Sequence, residues 1–184
     1  MKDLCGGLFV WYSVAMSKEL FDIVDREDNV IGTTDKKTAH ELGQLHRVAA
    51  VYVFNKKGEL YVQKHRSDGR FDHSVGGHVS RGETYAIGAA REAEEELGIT
   101  QPLTEIAASV YADEWPHMQH MFGIYECIAD DEWEFTPNEE VNIIFPMSVI
   151  AIREAMRSEP DQYTNGFKIT MAEYARIKSL PDLQ

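Results

Sequence analysis

Residues 77–99, GHVSRGETYAIGAAREAEEELGI, set Glu83, Arg91, Glu92, Glu95 and Glu96 around one helix with a glycine at each boundary. Thr84 is a good N-cap hydroxyl, and Gly98 can take the left-handed conformation that ends a helix, so the spacing predicts a helix from Thr84 to Leu97. Ala86, Ala89, Ala90, Ala93 and Leu97 recur at helical spacing and form a narrow apolar stripe of small residues. Such a stripe lets a helix pack closely on a sheet.

Glu92, Glu95 and Glu96 fall at i, i+3 and i+4, on one face about a turn long, whereas Glu94 points elsewhere. Acid runs are ordinarily just solvated surface. Three carboxylates converging on one face repel each other, however, and a hard cation with oxygen ligands removes the conflict. Mg²⁺ is the usual candidate, held by Glu92, Glu95 and Glu96, with a backbone carbonyl from Gly77 as a further ligand. Arg91 lies four residues before Glu95 and eight after Glu83, placed to neutralise and orient carboxylates.

The stretch resembles the Nudix box: Gly, five residues, Glu, seven residues, Arg-Glu, an aliphatic residue, any residue, Glu-Glu, any residue, Gly, aliphatic. Gly77, Glu83, Arg91, Glu92, Ala93, Glu95, Glu96, Gly98 and Ile99 occupy every fixed position. The resemblance implies a hydrolase that uses Mg²⁺ or Mn²⁺ to cleave a diphosphate bond in a nucleoside diphosphate linked to another moiety, with Glu92 and Glu96 as main metal ligands and Glu95 as a further direct ligand or bridging through water.

The chain has 184 residues, 43% of them hydrophobic, enough for one well-packed domain. Its formal charge of −13 disfavours binding to a nucleic-acid polymer, which needs a basic face, but is compatible with a small diphosphate substrate chelated to metal. Cys5 and Cys127 are the only cysteines and give neither a disulfide framework nor zinc-type spacing, which fits a reducing cytoplasm. The apolar run 4–16, LCGGLFVWYSVAM, is shorter than the ~20 residues that span a bilayer, so no membrane association is expected. Met16 opens a segment that reads like a domain start. Residues 1–15 are therefore an N-terminal extension, either an upstream-start artefact or a dispensable packing segment, and 16–184 a single domain. A homodimer is left open.

FDIVD at 21–25 and VIG after DREDN read as a hairpin, as do VAAVYVFN at 48–55 and ELYVQKH at 59–65 around Lys56, Lys57 and Gly58. EIAASVYADEW and QHMFGIYECIA follow the box as another strand pair. EEVNIIFPMSVIAIREAM reads as strand, turn and helix with Pro146 at the break, and MAEYARIKSL as a C-terminal helix. Strands with two or three helices suggest an α/β/α sandwich around a mixed β-sheet, the fold that the Nudix resemblance also implies.

The run GQLHRVAAVYVFNKKGELYVQKHRS before the box resembles the isopentenyl-diphosphate-isomerase-like branch of the superfamily, over roughly residues 20–155. In those isomerases a cluster of histidines and glutamates binds a separate metal. His40, His46 and His78 fall near its histidine positions, with His117 or His120 where the isomerases use glutamate. Imidazoles suit Zn²⁺ or Mn²⁺, so His40, His46, His78 and His120 are a candidate second metal site. The ordinary alternative, a strand cap at His46, exposed His40 and His117, and a loop-orienting His78, carries more weight, because sequence distance does not establish convergence. The catalytic cysteine of the isomerases would precede the Gly-His pair, where this chain has Gly76, and the isomerases usually lack the full glutamate set. Both departures favour hydrolysis.

Glu139 and Glu140 lie before VNIIF, where Nudix hydrolases often supply an extra ligand or general base; Glu140 is favoured as the candidate. Lys64, Arg66 and Arg70 flank the strand leading to the box and are candidates for substrate phosphate contacts. Trp115 and Phe122 could stack on a base but are more often packing residues.

Overall fold

A computed structural model describes residues 19–65, 68–114, 118–130, 132–136, 141 and 143–181. The fold is organised by β3 (His46–Phe54), whose residues Ala49–Val53 are completely buried. A near-continuous apolar run of this kind belongs to a strand covered on both faces. On one face Val48, Ala50 and Tyr52 join a core with Ile152, Met156, Phe167 and Met171. On the other, Ala49, Val51 and Val53 meet Ala89, Ala93 and Leu97. Two cores separated by one sheet make the α/β sandwich.

One edge of β3 is taken in turn by β1 (Leu20–Val24), by β6 (Val75–His78) and by β4 (Glu59–Lys64), all antiparallel. The other edge pairs in parallel with β8 (Met118–Ile128), from His46 opposite His120 to Phe54 opposite Ile128. Further strands extend this mixed sheet: β2 (Val30–Asp35) beside β1, β7 (Thr104–Glu114) beside β8, and both β5 (Phe71–Asp72) and β9 (Ile143–Ser148) beside β4. The expected hairpins are present, although β3 and β4 pair only at Phe54 and Leu60 and then separate.

The box helix, α2 (Tyr85–Leu97), begins and ends as its sequence predicts. Thr84 Oγ1 accepts from the Ile87 amide, and Gly98 takes φ 66°. Its buried arc is Gly88, Ala89, Glu92, Ala93, Glu96 and Leu97, which is rotated toward the glutamates relative to the expected stripe. Ala90 falls just outside that arc and Ala86, in the first turn, is also exposed.

Two elements differ from expectation. Pro146 lies inside β9, opposite Tyr61, and the helix break comes at Ser148, whose hydroxyl caps α3 (Val149–Ser158). Proline is tolerated there because β9 is an edge strand, paired only with β4 among the described residues. Among the described residues there are four α-helices rather than two or three: α1 (Lys36–Leu42) is additional, and α4 (Asn165–Ile177) starts six residues before the expected Met171. The described residues contain no helix long and apolar enough to cross a membrane. The N-terminal extension lies outside the described residues.

Candidate active site and metal centres

Gly77 and Glu92 fit each other so closely that a side chain at Gly77 would force Glu92 to move. A Cβ there would stand 1.9 Å from Glu92 Cδ, far inside van der Waals contact. Glu92 is 9% exposed and Glu96 7%, whereas the Glu95 side chain is 57% exposed and turned outward. Burying two carboxylates on a helix is costly unless they are paired, hydrogen-bonded or ligating a cation. Gln63 on β4 donates to Glu96 Oε2 at 3.3 Å, a contact sequence reading did not supply. An oxygen-rich pocket against glycine backbone fits a hard divalent cation.

Arg91 binds more partners than its helical spacing suggests. Its Nε and Nη2 grip both oxygens of Glu83 at 3.1 and 3.0 Å, and Nη1 reaches Glu92 at 2.7 Å and Glu95 at 3.1 Å. Nη2 also donates to the His78 carbonyl at 2.9 Å. These bonds lock the loop 78–83 onto α2. The hydrogen bond from Arg91 holds the Glu83 carboxyl below its ordinary range despite some burial.

Strand alternation divides the GGH segment between the two faces of the sheet. Val75 belongs to the core on the α2 side and Gly77 abuts Glu92 there, while the His78 ring stacks on His46 with centroids 5.1 Å apart. His46 shares its parity along β3 with Val48, on the opposite side. There the four predicted histidines converge: His40 from α1, His46 from β3, His78 from β6 and His120 from β8, with one ring nitrogen of each within 4.8 Å of the others. His40 Nε2 and His78 Nε2 are 3.1 Å apart. Because the Gln44 carbonyl 2.7 Å away can only accept, His46 Nδ1 carries the proton, and its Nε2 lone pair points into the cluster, buried and without a hydrogen-bond partner. Burial and then the neighbouring His120 lower the His46 imidazole to about 4, against the pull of the Gln44 bond; burial, then Lys36 and the other rings, depress His78 as well. Neutral imidazoles with inward lone pairs are the ligating form. The arrangement corrects the expectation of an exposed His40, which is half-buried here.

Arg70 pairs with Asp68 through Nε and Nη2, both at 2.7 Å, and Lys64 Nζ lies over the Phe71 ring, 5.4 Å from its centroid. Phe122 is 2% exposed within the core, which removes it as a base-stacking surface. Arg66, Trp115, His117, Glu139 and Glu140 lie outside the described residues.

A polar network absent from the sequence reading lies beside the site. Asp72 on β5 accepts from His65 Nε2 at 2.8 Å, His73 Nδ1 at 2.6 Å and Thr164 Oγ1 at 2.9 Å. His73 Nε2 continues to Thr170 Oγ1 at 2.7 Å, which receives the Tyr52 hydroxyl at 3.0 Å. Burial alone would raise the Asp72 carboxyl, but His73 and the bonds from both histidines outweigh it and hold it far below its ordinary range. The bond to Asp72 raises the His65 imidazole against its own burial. Nothing local flags these residues in sequence, since the partners come from β3, β5, α4 with its cap, and the residues that directly follow β4 and β5.

The NUDIX domain matches residues 44–165, which include the box glutamates, Gln63, Asp72 with its partners His65, His73 and Thr164, and three of the four clustered histidines. The chain is 30% identical to an isopentenyl-diphosphate delta-isomerase of Pectobacterium atrosepticum, over 82% of this chain and 88% of that protein. It is 31% identical to an uncharacterized Nudix hydrolase of Pseudomonas aeruginosa, over 81% of this chain and 90% of that one. Among solved structures, DR0079 from Deinococcus radiodurans superposes with a TM-score of 0.68 at 21% identity, covering 84% and 98% of the two chains, and a MutT protein of Methanosarcina mazei with 0.57 at 18%, covering 73% and 94%. These two likenesses establish the fold, and the domain match together with the curated relatives establishes the family: the chain belongs to the Nudix family.

Proposed function

We propose that this chain is a metal-dependent hydrolase that cleaves the phosphoanhydride bond of a nucleoside diphosphate derivative or a related small diphosphate, using Mg²⁺ or Mn²⁺. The observation that carries the reading is the buried pair Glu92 and Glu96 at the Gly77 backbone, with Arg91 and Gln63 fixing their carboxylates. The cation, when bound, supplies charge neutralisation for the diphosphate and lowers the pKa of an attacking water. Glu92 and Glu96 hold it and Arg91 keeps Glu92 in place. Glu95, exposed and bound to Arg91, is the carboxylate freest to serve through a bridging water. The substrate is a small molecule rather than a nucleic-acid polymer, and its place is the cytoplasm, consistent with the strongly acidic chain and its two separated cysteines.

The test is release of phosphate-containing products across nucleoside diphosphate sugars, dinucleoside polyphosphates, coenzyme A, NADH, oxidised nucleotides and prenyl diphosphates. Glu96→Gln should lower turnover by about 100-fold or more while leaving the unfolding transition intact. No turnover on the whole panel with either metal would overturn the proposal and favour a non-catalytic nucleotide-sensing module.

The second reading is isomerisation of isopentenyl diphosphate, favoured by the names of several relatives. Against it stand Gly76 in the place of the expected cysteine and the complete glutamate set. Incubation with isopentenyl diphosphate separates the two: an isomer without phosphate release would support the isomerase.

A further inference from the structure

The helices α3 and α4 sort their charges by face. Together they carry four cations, Arg153, Arg157, Lys168 and Arg176, and two acids, Glu154 and Glu173. All four cations line the cleft between the helices, about 480 Å³ in volume, and neither acid does. In a chain of formal charge −13 such a lining runs against composition. Arg153 Nη1 donates to the Pro181 carbonyl at 2.8 Å and Lys168 Nζ to the Pro160 carbonyl at 3.2 Å, which orients these groups without cancelling their charge. Arg176 pairs with Glu173, but its side chain is 70% exposed, and an ion pair so open to water contributes little.

The spacing gives the cleft a direction. Arg153, Met156 and Arg157 fall at i, i+3 and i+4 on α3, and Lys168, Met171, Ala172, Ala175 and Arg176 follow the same pattern on α4. From Lys168 to Arg176 the α4 wall runs about 12 Å, slightly more than two turns. The floor is apolar and recessed: Met156, Met171 and Ala175 are 9%, 1% and 6% exposed. Cations on both walls with methionines at the base fit an elongated occupant whose apolar stripe is bordered by carboxylates, as in an acidic amphipathic helix laid in a groove. Methionine adapts its shape to a guest, and the small side chains of Ala172 and Ala175 allow a close approach. A flat bilayer reaches the rim cations but not a recessed floor, and a nucleic-acid backbone has no apolar stripe to set on it.

We propose that the cleft between α3 and α4 is a docking site for an acidic amphipathic helix of a partner protein. These helices cover the face of the sheet opposite α2, so a docked helix leaves the box glutamates uncovered. The inference goes beyond the hydrolase reading and stands without it.

The probe is a synthetic helical peptide of about four turns, with leucines along one stripe and glutamates along both borders, titrated at low salt into the full-length chain. It should bind with a Kd of about 10 μM or tighter, and its glutamine-for-glutamate form about tenfold more weakly. Added salt should weaken the acidic peptide, because the charges at the rim are screened. Hydrogen exchange on binding should slow at residues 153–157 and 168–176 and stay unchanged in α2. Arg157→Glu combined with Arg176→Glu should weaken the acidic peptide about tenfold and tighten a lysine-bordered one, a reversal that a folding defect does not produce. If that double variant fails to fold, Ala172→Glu, at an exposed position, should weaken the acidic peptide to a similar degree. No binding at about 100 μM, equal affinity for the glutamate and glutamine peptides, or protection outside α3 and α4 would each overturn the proposal. So would a dimer in sedimentation that Arg157→Glu dissolves, which makes the occupant a second copy, or Arg157-dependent binding to phosphatidylglycerol vesicles, which makes it a membrane.

Discussion

At the scale of single residues, two adjacent glycines have different reasons to be glycine. A methyl at Gly77 would overlap the Glu92 carboxylate, whereas at Gly76 the nearest atom, His73 Nδ1, is 3.7 Å away, an ordinary contact. Gly77→Ala should therefore displace Glu92 or the loop, costing about 1–3 kcal/mol of stability and about 100-fold or more in diphosphate turnover. Gly76→Ala should stay within about 0.5 kcal/mol of the parent. Urea unfolding beside a turnover assay checks the pair, and equal effects at both positions would refute the close-approach argument. Glu92 and Glu96 were readable in sequence because three- and four-residue spacing is itself helix geometry. Their different burial from Glu95 was not, since it depends on how far the helix is rotated on the sheet. Gln63 was hidden for a related reason: its partner Glu96 is 33 residues away on another element.

At the scale of elements, boundaries were legible where local chemistry writes them and obscure where the tertiary setting does. Thr84 and Gly98 delimit α2 by their own side chain and backbone conformation. Pro146 reads as a break, yet an edge position lets it remain in β9. The starts of α1 and α4 are marked by cap residues, Asp35 and Thr164, that resemble ordinary loop polar residues until the helices after them are packed. Thr164 adds to the capping that Thr84 also performs a second contact, to Asp72. Its hydroxyl accepts from the Phe167 amide at 3.2 Å and donates to Asp72 at 2.9 Å, and the residue is 3% exposed. Thr84→Ala should cost about 1 kcal/mol, the ordinary loss of an N-cap. Thr164→Ala should cost about 2–4 kcal/mol, because a buried carboxylate also loses a donor. Denaturant midpoints at constant slope measure both, and equal losses would show that the Asp72 contact contributes nothing.

At the scale of the whole molecule, what sequence could not supply is convergence. Positions 40, 46, 78 and 120 carry no mutual spacing signal; the parallel register that sets His46 opposite His120, and β6 beside β3, bring them together. Asp72 poses the same difficulty, since it joins the end of β4, the approach to the box and α4. His65 and Asp72 give this junction a pH signature. Asp68, 3.6 Å from His65 Nδ1, and Arg70, paired with Asp68, also face His65. The Asp72 carboxyl is depressed in the folded chain, so its contribution is present above the unfolded value of about 3.9 and is lost as pH falls through the folded value. The His65 imidazole is raised, so its contribution is complete below the unfolded value of about 6.5 and is lost as pH rises through the folded one. The pair therefore stabilises most between about pH 4 and 6.5. His46 and His78, both depressed, impose the opposite slope below about 6.5, so the test must be a difference between variants. Asp72→Asn should be less stable than the parent by about 3 kcal/mol near pH 6, with the gap narrowing from about pH 6.5 upward as native His65 loses its proton. His65→Gln should remove the same upper limb with a smaller loss, because its side chain is one-third exposed and partly screened. Urea unfolding at half-unit steps from pH 5 to 9 reads both, and a stability gap that stays constant across that range would exclude the His65–Asp72 pair as its source.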